Sequence, residues 1–315
     1  MSKVLFVSRR PLGRCENITA VYNAYNGEKE FVIPWKGEQA LQKHDYDLVV
    51  TDEFISSANA PVIMIGHGIS GGKTYGMDQP RPYHNEETAK LLAYAIATSE
   101  DTVDLVAKQC GLPRERVLPY GMPRTDVYFG KKKGDGGSGL PTEKRIYLYS
   151  PTFASWEMTE DSRVMIDNML EDDELFVIKR HMFTGMKAPD GTFNHSIEIS
   201  PLLPSAQYLI DCDVLITDYS SILFDAHVLG KPVVLFEKDM DKYMANRGMY
   251  LPYPNGYASR HTTDEKELVK MLREAKEPLE EDIECKRYSA SACLDGQSTN
   301  RVIELMEDML NGNKM

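Results

Sequence analysis

The sequence predicts an α/β protein with two doubly wound, Rossmann-like domains facing a cleft. Three observations lead there. Continuous apolar, β-branched runs recur along the chain, the pattern of strands covered on both faces. Helix signals separate those runs, as in βα repeats. A glycine-rich, charged stretch from Lys131 to Pro141 interrupts the pattern near the middle of the 315 residues, a length that ordinarily makes two domains.

The first half supplies strand candidates at Lys3–Ser8, Glu30–Pro34, Asp47–Thr51, Pro61–Ile65, Ala93–Ser99 and Val117–Gly121. The amino-terminal apolar run is too short for a signal peptide and reads as the first strand. Between the last two strands, Ser99 caps a helix that has acids early and a lysine late, with Gly111 after it. Lys131–Pro141 then lacks apolar periodicity and reads as a flexible linker rather than a basic phosphate loop. Beyond it, Arg145–Ser150, Leu175–Lys179, Ile197–Ser200, Val214–Thr217 and Val233–Phe236 form a second strand set. The acidic stretch Glu157–Glu174 reads as an amphipathic helix that turns Val164, Met165, Met169 and Leu170 inward. Ser298–Leu310 reads as another, with Val302, Ile303, Leu305, Met306 and Met309 on its apolar side. The expected boundaries are 1–130, a linker at 131–141, 142–294, and a terminal helix within 295–315.

Composition narrows the function. The net charge of −12 argues against nucleic acid as a partner and weakens adsorption to an anionic membrane. It leaves room for an anionic small ligand, because a cleft's local field can oppose the global charge. No apolar run is long enough to span a bilayer. Five scattered cysteines without a CxxC pair suggest neither zinc nor a disulfide framework, and a reducing cytoplasm fits. No metal-ligand spacing stands out, and neither a metal nor a cofactor is called for.

The densest chemical signal runs from Leu215 to Phe236, as strand, turn, helix, turn, strand. Thr217, Asp218, Ser220 and Ser221 fall where free backbone N–H groups face the carboxyl edge of a parallel sheet, an anion-binding arrangement. Ser220 and Ser221 also suit simple capping. His181 ends a strand in the basic triplet Lys179-Arg180-His181 and suits anion contact. His67 follows a strand among Gly66, Gly68, Gly71 and Gly72 and suits general base work near neutral pH. The nearby Gly-Gly-Lys-Thr is not a P-loop, because His67 stands where the first glycine is needed. Arg124 lies after the last strand of the first half. Asp126 beside it is the next carboxylate to consider as a base.

Together these segments resemble one family, the CDP-glycerol glycerophosphotransferases that prime and polymerise teichoic acids, with their CDP-ribitol relatives. The resemblance runs from Pro61 to Arg301. It rests on His67-Gly68 with Lys73, Gly121-Met-Pro-Arg-Thr-Asp126, Tyr149-Ser-Pro-Thr-Phe153, and His181. It continues through Thr217–Ser221 with Phe224-Asp225, Lys231-Pro232, Asp239, Arg247-Gly248, and Asp295-Gly-x-Ser298 with Arg301. The chain departs from the pattern at Gly66, where the family usually has Trp, at Ile69–Lys73, and at Met182, where Pro is common.

The resemblance implies a GT-B fold, with the nucleotide in the second domain and the terminal helix crossing back to the first. It implies transfer of a polyol phosphate from CDP-glycerol or CDP-ribitol to a polyol-phosphate or glycolipid acceptor, releasing CMP. The setting would be the cytoplasm or the inner face of the cell membrane, with weak peripheral contact through the acceptor. His67 would be the base. Arg124, His181, Thr217, Asp218, Ser220 and Ser221 would hold the donor. A sugar-nucleotide glycosyltransferase of the same fold and a non-catalytic nucleotide-binding protein are the alternatives.

Overall fold

The computed structural model describes residues 2–14, 16–33, 45–55, 57–66, 86–153, 158–181, 192–246, 249, 253–254, 256–279 and 295–312. The chain divides into two compact units. The first is Met1–Phe129 with Arg287–Met315, and the second is Gly130–Lys286.

In the first unit, β1 (Lys3–Val7), β2 (Glu28–Val32), β3 (Leu48–Thr51), β4 (Val62–Met64), β5 (Leu92–Ile96) and β6 (Val117–Leu118) form one parallel sheet. Its order is β2-β1-β3-β4-β5-β6. Helices α1 (Glu16–Ala24), α2 (Glu86–Leu91) and α3 (Val103–Cys110) connect the strands. Alternate residues of β1 leave on opposite faces, as the two-residue strand period requires. Leu5 and Val7 pack with Val103 and Val106 of α3, whereas Val4 and Phe6 pack with Ile18 and Val21 of α1. Both faces are therefore covered, which accounts for the continuous apolar runs. The second face also receives Val302, Leu305 and Met306.

The second unit holds β7 (Arg145–Tyr149), α4 (Glu160–Asp167), β8 (Glu174–Ile178), β9 (Ser196–Glu198), α5 (Ser205–Asp211), β10 (Val214–Thr217), α6 (Ile222–Val228), β11 (Val233–Phe236), α7 (Met240–Asn246), β12 (His261–Thr262) and α8 (Glu265–Glu274). These strands form a second parallel sheet of order β12-β11-β10-β7-β8-β9. The last helix, α9 (Ser298–Leu310), belongs to the first unit.

Two local expectations are corrected. The stretch from Lys131 to Pro141 is not free chain. The N–H groups of Gly134, Gly136 and Ser138 and the hydroxyl of Ser138 all donate to the carboxylate of Asp211, at 2.6–3.1 Å. The glycines let the backbone wrap that anion, and these bonds hold the Asp211 carboxyl below its ordinary pKa against the opposing effect of burial. Gly136 has no room for a side chain, since an added Cβ would lie 2.2 Å from the Gln207 carbonyl.

The acidic helix is also turned differently from its apolar pattern. Val164 and Met165 are exposed, while Ile166, Arg163 and Asp167 are buried. Polar bonds set that phase. Arg163 Nε donates to Ser196 Oγ (2.7 Å) and its guanidinium lies 3.8 Å from the Phe193 ring centroid. Asp167 accepts the N–H groups of Asn194 and His195.

Candidate active site

Strand order reverses between β7 and β10 in the second sheet. Open α/β sheets bind ligands at the carboxyl ends of such strand pairs. The residues there are Ser150–Phe153 after β7 and Asp218–Ser221 after β10. Thr217 is fully buried and donates its hydroxyl to the Ser150 carbonyl (2.7 Å). Asp218, 2% exposed, accepts the Thr152 N–H with both oxygens, at 2.8 and 3.0 Å. These two residues therefore stitch one strand exit to the other.

Ser220 and Ser221 are half-buried. Ser220 Oγ accepts the Ile222 N–H at 3.5 Å, a long contact. Ser221 is the cap residue of α6, and its side chain makes no capping bond. Capping thus occupies one hydroxyl weakly and leaves the other uncommitted to the helix.

On the far side of β7, His181 follows β8 and is half-buried. Its ring centroid lies 5.4 Å from that of Phe153, in a tilted contact. The β7 exit loop thus touches the β10 exit through Thr152 and the β8 exit through Phe153. The basic triplet is corrected in part. Lys179 and Arg180 are buried, and Arg180 Nε donates to Glu198 Oε1 at 3.0 Å.

The next strand end brings acids. Glu237 follows β11, is 3% exposed, and has an Oε2 without a hydrogen-bond partner among the described residues. Burial, helped by the charge of Asp218, pushes its carboxyl up to about 8. Tyr219 donates to Asp239 Oδ1 (3.0 Å) and stacks on Tyr243 at 3.7 Å between centroids, with Tyr253 5.1 Å away. Burial comes first in raising the phenols of Tyr219 and Tyr253. No sequence motif singled out Tyr219, Tyr243, Tyr253 or Glu237.

Arg124 lies in the first unit. Its side chain is 10% exposed, with Nη1 3.7 Å from Glu16 Oε2. Its backbone N–H donates to Asn17 Oδ1 at 2.9 Å, while Asn17 Nδ2 donates to the Gly66 carbonyl at 2.9 Å. Asn17, 1% exposed, thus ties the Arg124 turn to the residue preceding His67. His67 itself, with Gly68–Lys73, lies outside the described residues.

Asp126 is committed elsewhere. Its two oxygens accept the N–H groups of Ser298 (3.0 Å) and Thr299 (2.7 Å), capping α9. Arg301 returns from α9 to pair with Asp295 and to reach the Tyr120 carbonyl. Gly296, at φ +71°, would carry a Cβ 3.1–3.3 Å from Phe129 side-chain atoms, so the left-handed backbone and the close approach both favour glycine there.

The chain is similar to known proteins in sequence and in fold. The chain is 27% identical over 270 residues to the teichoic acid poly(ribitol-phosphate) polymerase of Bacillus spizizenii strain W23. That match covers 78% of this chain and 43% of the relative. It is 26% identical over 226 residues to the teichoic acid glycerol-phosphate primase of the same strain, covering 66% and 59%. The chain therefore spans roughly half the length of these relatives. The solved structure of the wall teichoic acid polymerase TagF superposes with a TM-score of 0.76 at 19% identity, over 99% of this chain and 89% of that one. A variant of the same polymerase with CDPG gives 0.75 at 20%, over the same shares. This likeness shows the fold, which is GT-B-like. Residues 44–308 match one protein family. By that match, the chain belongs to the CDP-glycerol:poly(glycerophosphate) glycerophosphotransferase family.

Proposed function

We propose that this chain transfers a polyol phosphate, glycerol phosphate or ribitol phosphate, from a CDP-activated donor to an acceptor hydroxyl and releases CMP. The product would extend a teichoic-acid-like or capsular polymer. The observation that carries the reading is the β7/β10 switch point, where three strand exits meet around the Ser150–Phe153 loop.

In this reading, Ser220, Ser221 and His181 hold the donor pyrophosphate, while Thr217 and Asp218 fix the loops that present them. Arg124 supplies positive charge from the first unit. The acids Glu237 and Asp239 suit hydroxyl groups of the donor, since Glu237, raised by burial to about 8, keeps its proton near neutral pH and can both donate and accept, and Asp239 already accepts the Tyr219 hydroxyl. The acceptor oxygen attacks the phosphorus that bears the polyol. The bond from that phosphorus to the bridging oxygen breaks, and CMP leaves with the electron pair. His67 takes the proton of the attacking hydroxyl. N–H and hydroxyl donors at the strand ends stabilise the charge that develops on the leaving group. No metal or cofactor is assigned.

We place the reaction on the cytoplasmic side, with the membrane approached through the acceptor. Among the described residues, no helix is long and apolar enough to cross a membrane. Cys110 and Cys212 are free and buried, and burial raises both thiols to about 12, so neither is poised for disulfide exchange.

The test is CMP release from CDP-glycerol and CDP-ribitol over a panel of polyol-phosphate and glycolipid acceptors, beside UDP- and GDP-sugars. CMP with transferred phosphate is expected. Release of UDP or GDP with a transferred sugar would sink the donor assignment. His67→Ala should lower the rate by about a hundredfold to ten-thousandfold while the donor Kd barely moves.

A further inference from the structure

The donor site proposed above meets a group of acids where β10 and β11 end. These strands run side by side in parallel, with Thr217 opposite Leu235, so the exits at Asp218 and Glu237 leave one sheet edge together. Two of the carboxylates gathered there are occupied. Asp218 accepts the Thr152 N–H, and Asp239 accepts the Tyr219 hydroxyl at 3.0 Å. Glu237 differs. It is 3% exposed, and its Oε2 has no hydrogen-bond partner among the described residues. Lys238, next in the chain, pairs with Glu265, and His261 Nδ1 stands 3.9 Å from Glu237 Oε1, beyond hydrogen-bonding distance.

An ionised Glu237 in this place would be buried, unpaired and beside like charges, and each of these disfavours the anion. Burial first, then the charge of Asp218 and more weakly that of Asp239, pushes its carboxyl up to about 8. The other titratable groups that face it are Tyr219 from the β10 exit and Tyr243 of α7, stacked on that ring. Tyr253, beyond α7, and His261 of β12 complete the set. No Lys or Arg pairs with Glu237 among the described residues. A pyrophosphate held by Ser220 and Ser221 brings further negative charge to the same edge.

We propose that Glu237 is the proton-linked group of the donor site: the chain binds the CDP-polyol pyrophosphate with Glu237 neutral, and a Glu237 that starts ionised takes a proton from solvent as the donor binds. This rests on the transferase reading above, which sets the pyrophosphate at Ser220 and Ser221. Well below pH 8 the free protein already holds the proton, and binding is at full strength. As pH rises, the competent fraction falls to about a half at pH 8 and about a tenth at pH 9, and the apparent Kd rises in inverse proportion. Donor affinity therefore drops about tenfold from pH 7 to pH 9.

The test is calorimetric titration of the full chain with CDP-glycerol, whose phosphates and base do not titrate between pH 7 and 9, in two buffers of different ionisation heat. The parent should take up about half a proton per donor bound at pH 8, where an ordinary histidine or carboxylate contributes little. Glu237→Gln should lose that uptake and bind with nearly one affinity from pH 7 to 9. Asp239→Asn removes a neighbouring charge and should move the weakening to lower pH, which reports on the same link should the glutamine variant fail to fold. No uptake by the parent at pH 8, or uptake that persists in folded Glu237→Gln, overturns the proton link. The transferase reading fails separately. A parent that binds CDP-glycerol with uptake through Glu237 but releases no CMP to any acceptor keeps the link and loses the reading. A parent that releases CMP and binds the donor with a flat pH profile keeps the reading and loses the link.

Discussion

Replacing Asn17 with alanine should cost far more than a helix-surface change. Asn17 is 1% exposed and links two segments through one side-chain amide. The substitution leaves the Gly66 carbonyl and the Arg124 N–H without their partners, both bonds being 2.9 Å and part-buried. An unsatisfied buried polar group costs about 1–3 kcal/mol, so the pair costs roughly 2–5 kcal/mol. Alanine returns about 0.5 kcal/mol through helix propensity, leaving a net loss of about 2–4 kcal/mol. In a unit of this size each kcal/mol shifts Tm by about 2–4 °C, so calorimetry should record a fall on the order of 5–15 °C. Turnover should fall further than donor affinity, because Gly66 precedes His67 whereas the switch-point residues lie in the other unit. Met122→Leu, which removes only the 3.5 Å contact from Asn17 Nδ2 to sulfur, serves as the control and should cost less than about 1.5 kcal/mol. A folded Asn17→Ala protein that melts within a degree of its parent and keeps its rate would refute this account.

Other expectations follow from the same geometry. His181→Ala, and Ser220→Ala combined with Ser221→Ala, should each weaken CDP-glycerol binding by about 1.5–3 kcal/mol per lost charge-assisted contact. Unchanged affinity by calorimetry in a folded variant would put the phosphates elsewhere. Glu237 is raised from 4.5 to about 8, so the unfolded chain releases its proton first and the fold loses stability as pH climbs between those values. Glu237→Gln should therefore gain on the parent by on the order of 1–3 kcal/mol at pH 8 and by nothing near pH 4; denaturant midpoints at the two pH values decide it. Asp126→Ala should lose about 0.5–2 kcal/mol, the cost of a helix cap, while the folded fraction keeps its rate, as single-turnover assays would show. A large rate loss without a stability loss would restore Asp126 as a base.

The strands were legible because both sheet faces are covered, so Val4–Val7 and Val214–Thr217 read as unbroken apolar runs. Strand ends followed from them, and with them Thr217 to Ser221. The phase of α4 was not legible. An apolar count cannot anticipate that Arg163 and Asp167 go inside because the 193–198 segment offers them a ring, a hydroxyl and two N–H groups. The glycines of 134–139 looked like slack for the same reason. Their role exists only once Asp211, over 70 residues later, is folded against them. Asn17 and Glu237 carried no local pattern at all, since each acts through partners distant in sequence.

One feature of the topology bears on synthesis. Helix α9 covers a face of the first sheet with Val302, Leu305 and Met306, yet every residue of the second unit precedes it in the chain. The ribosome therefore releases the whole second unit while the first still shows a bare apolar flank to solvent. Domains generally fold as units during translation, so the later-encoded half closes before the earlier one is finished. A nascent chain stopped short of Ser298 would present Phe6, Val50 and Ile63 to chaperones, and full closure would wait on the last turns of helix to emerge.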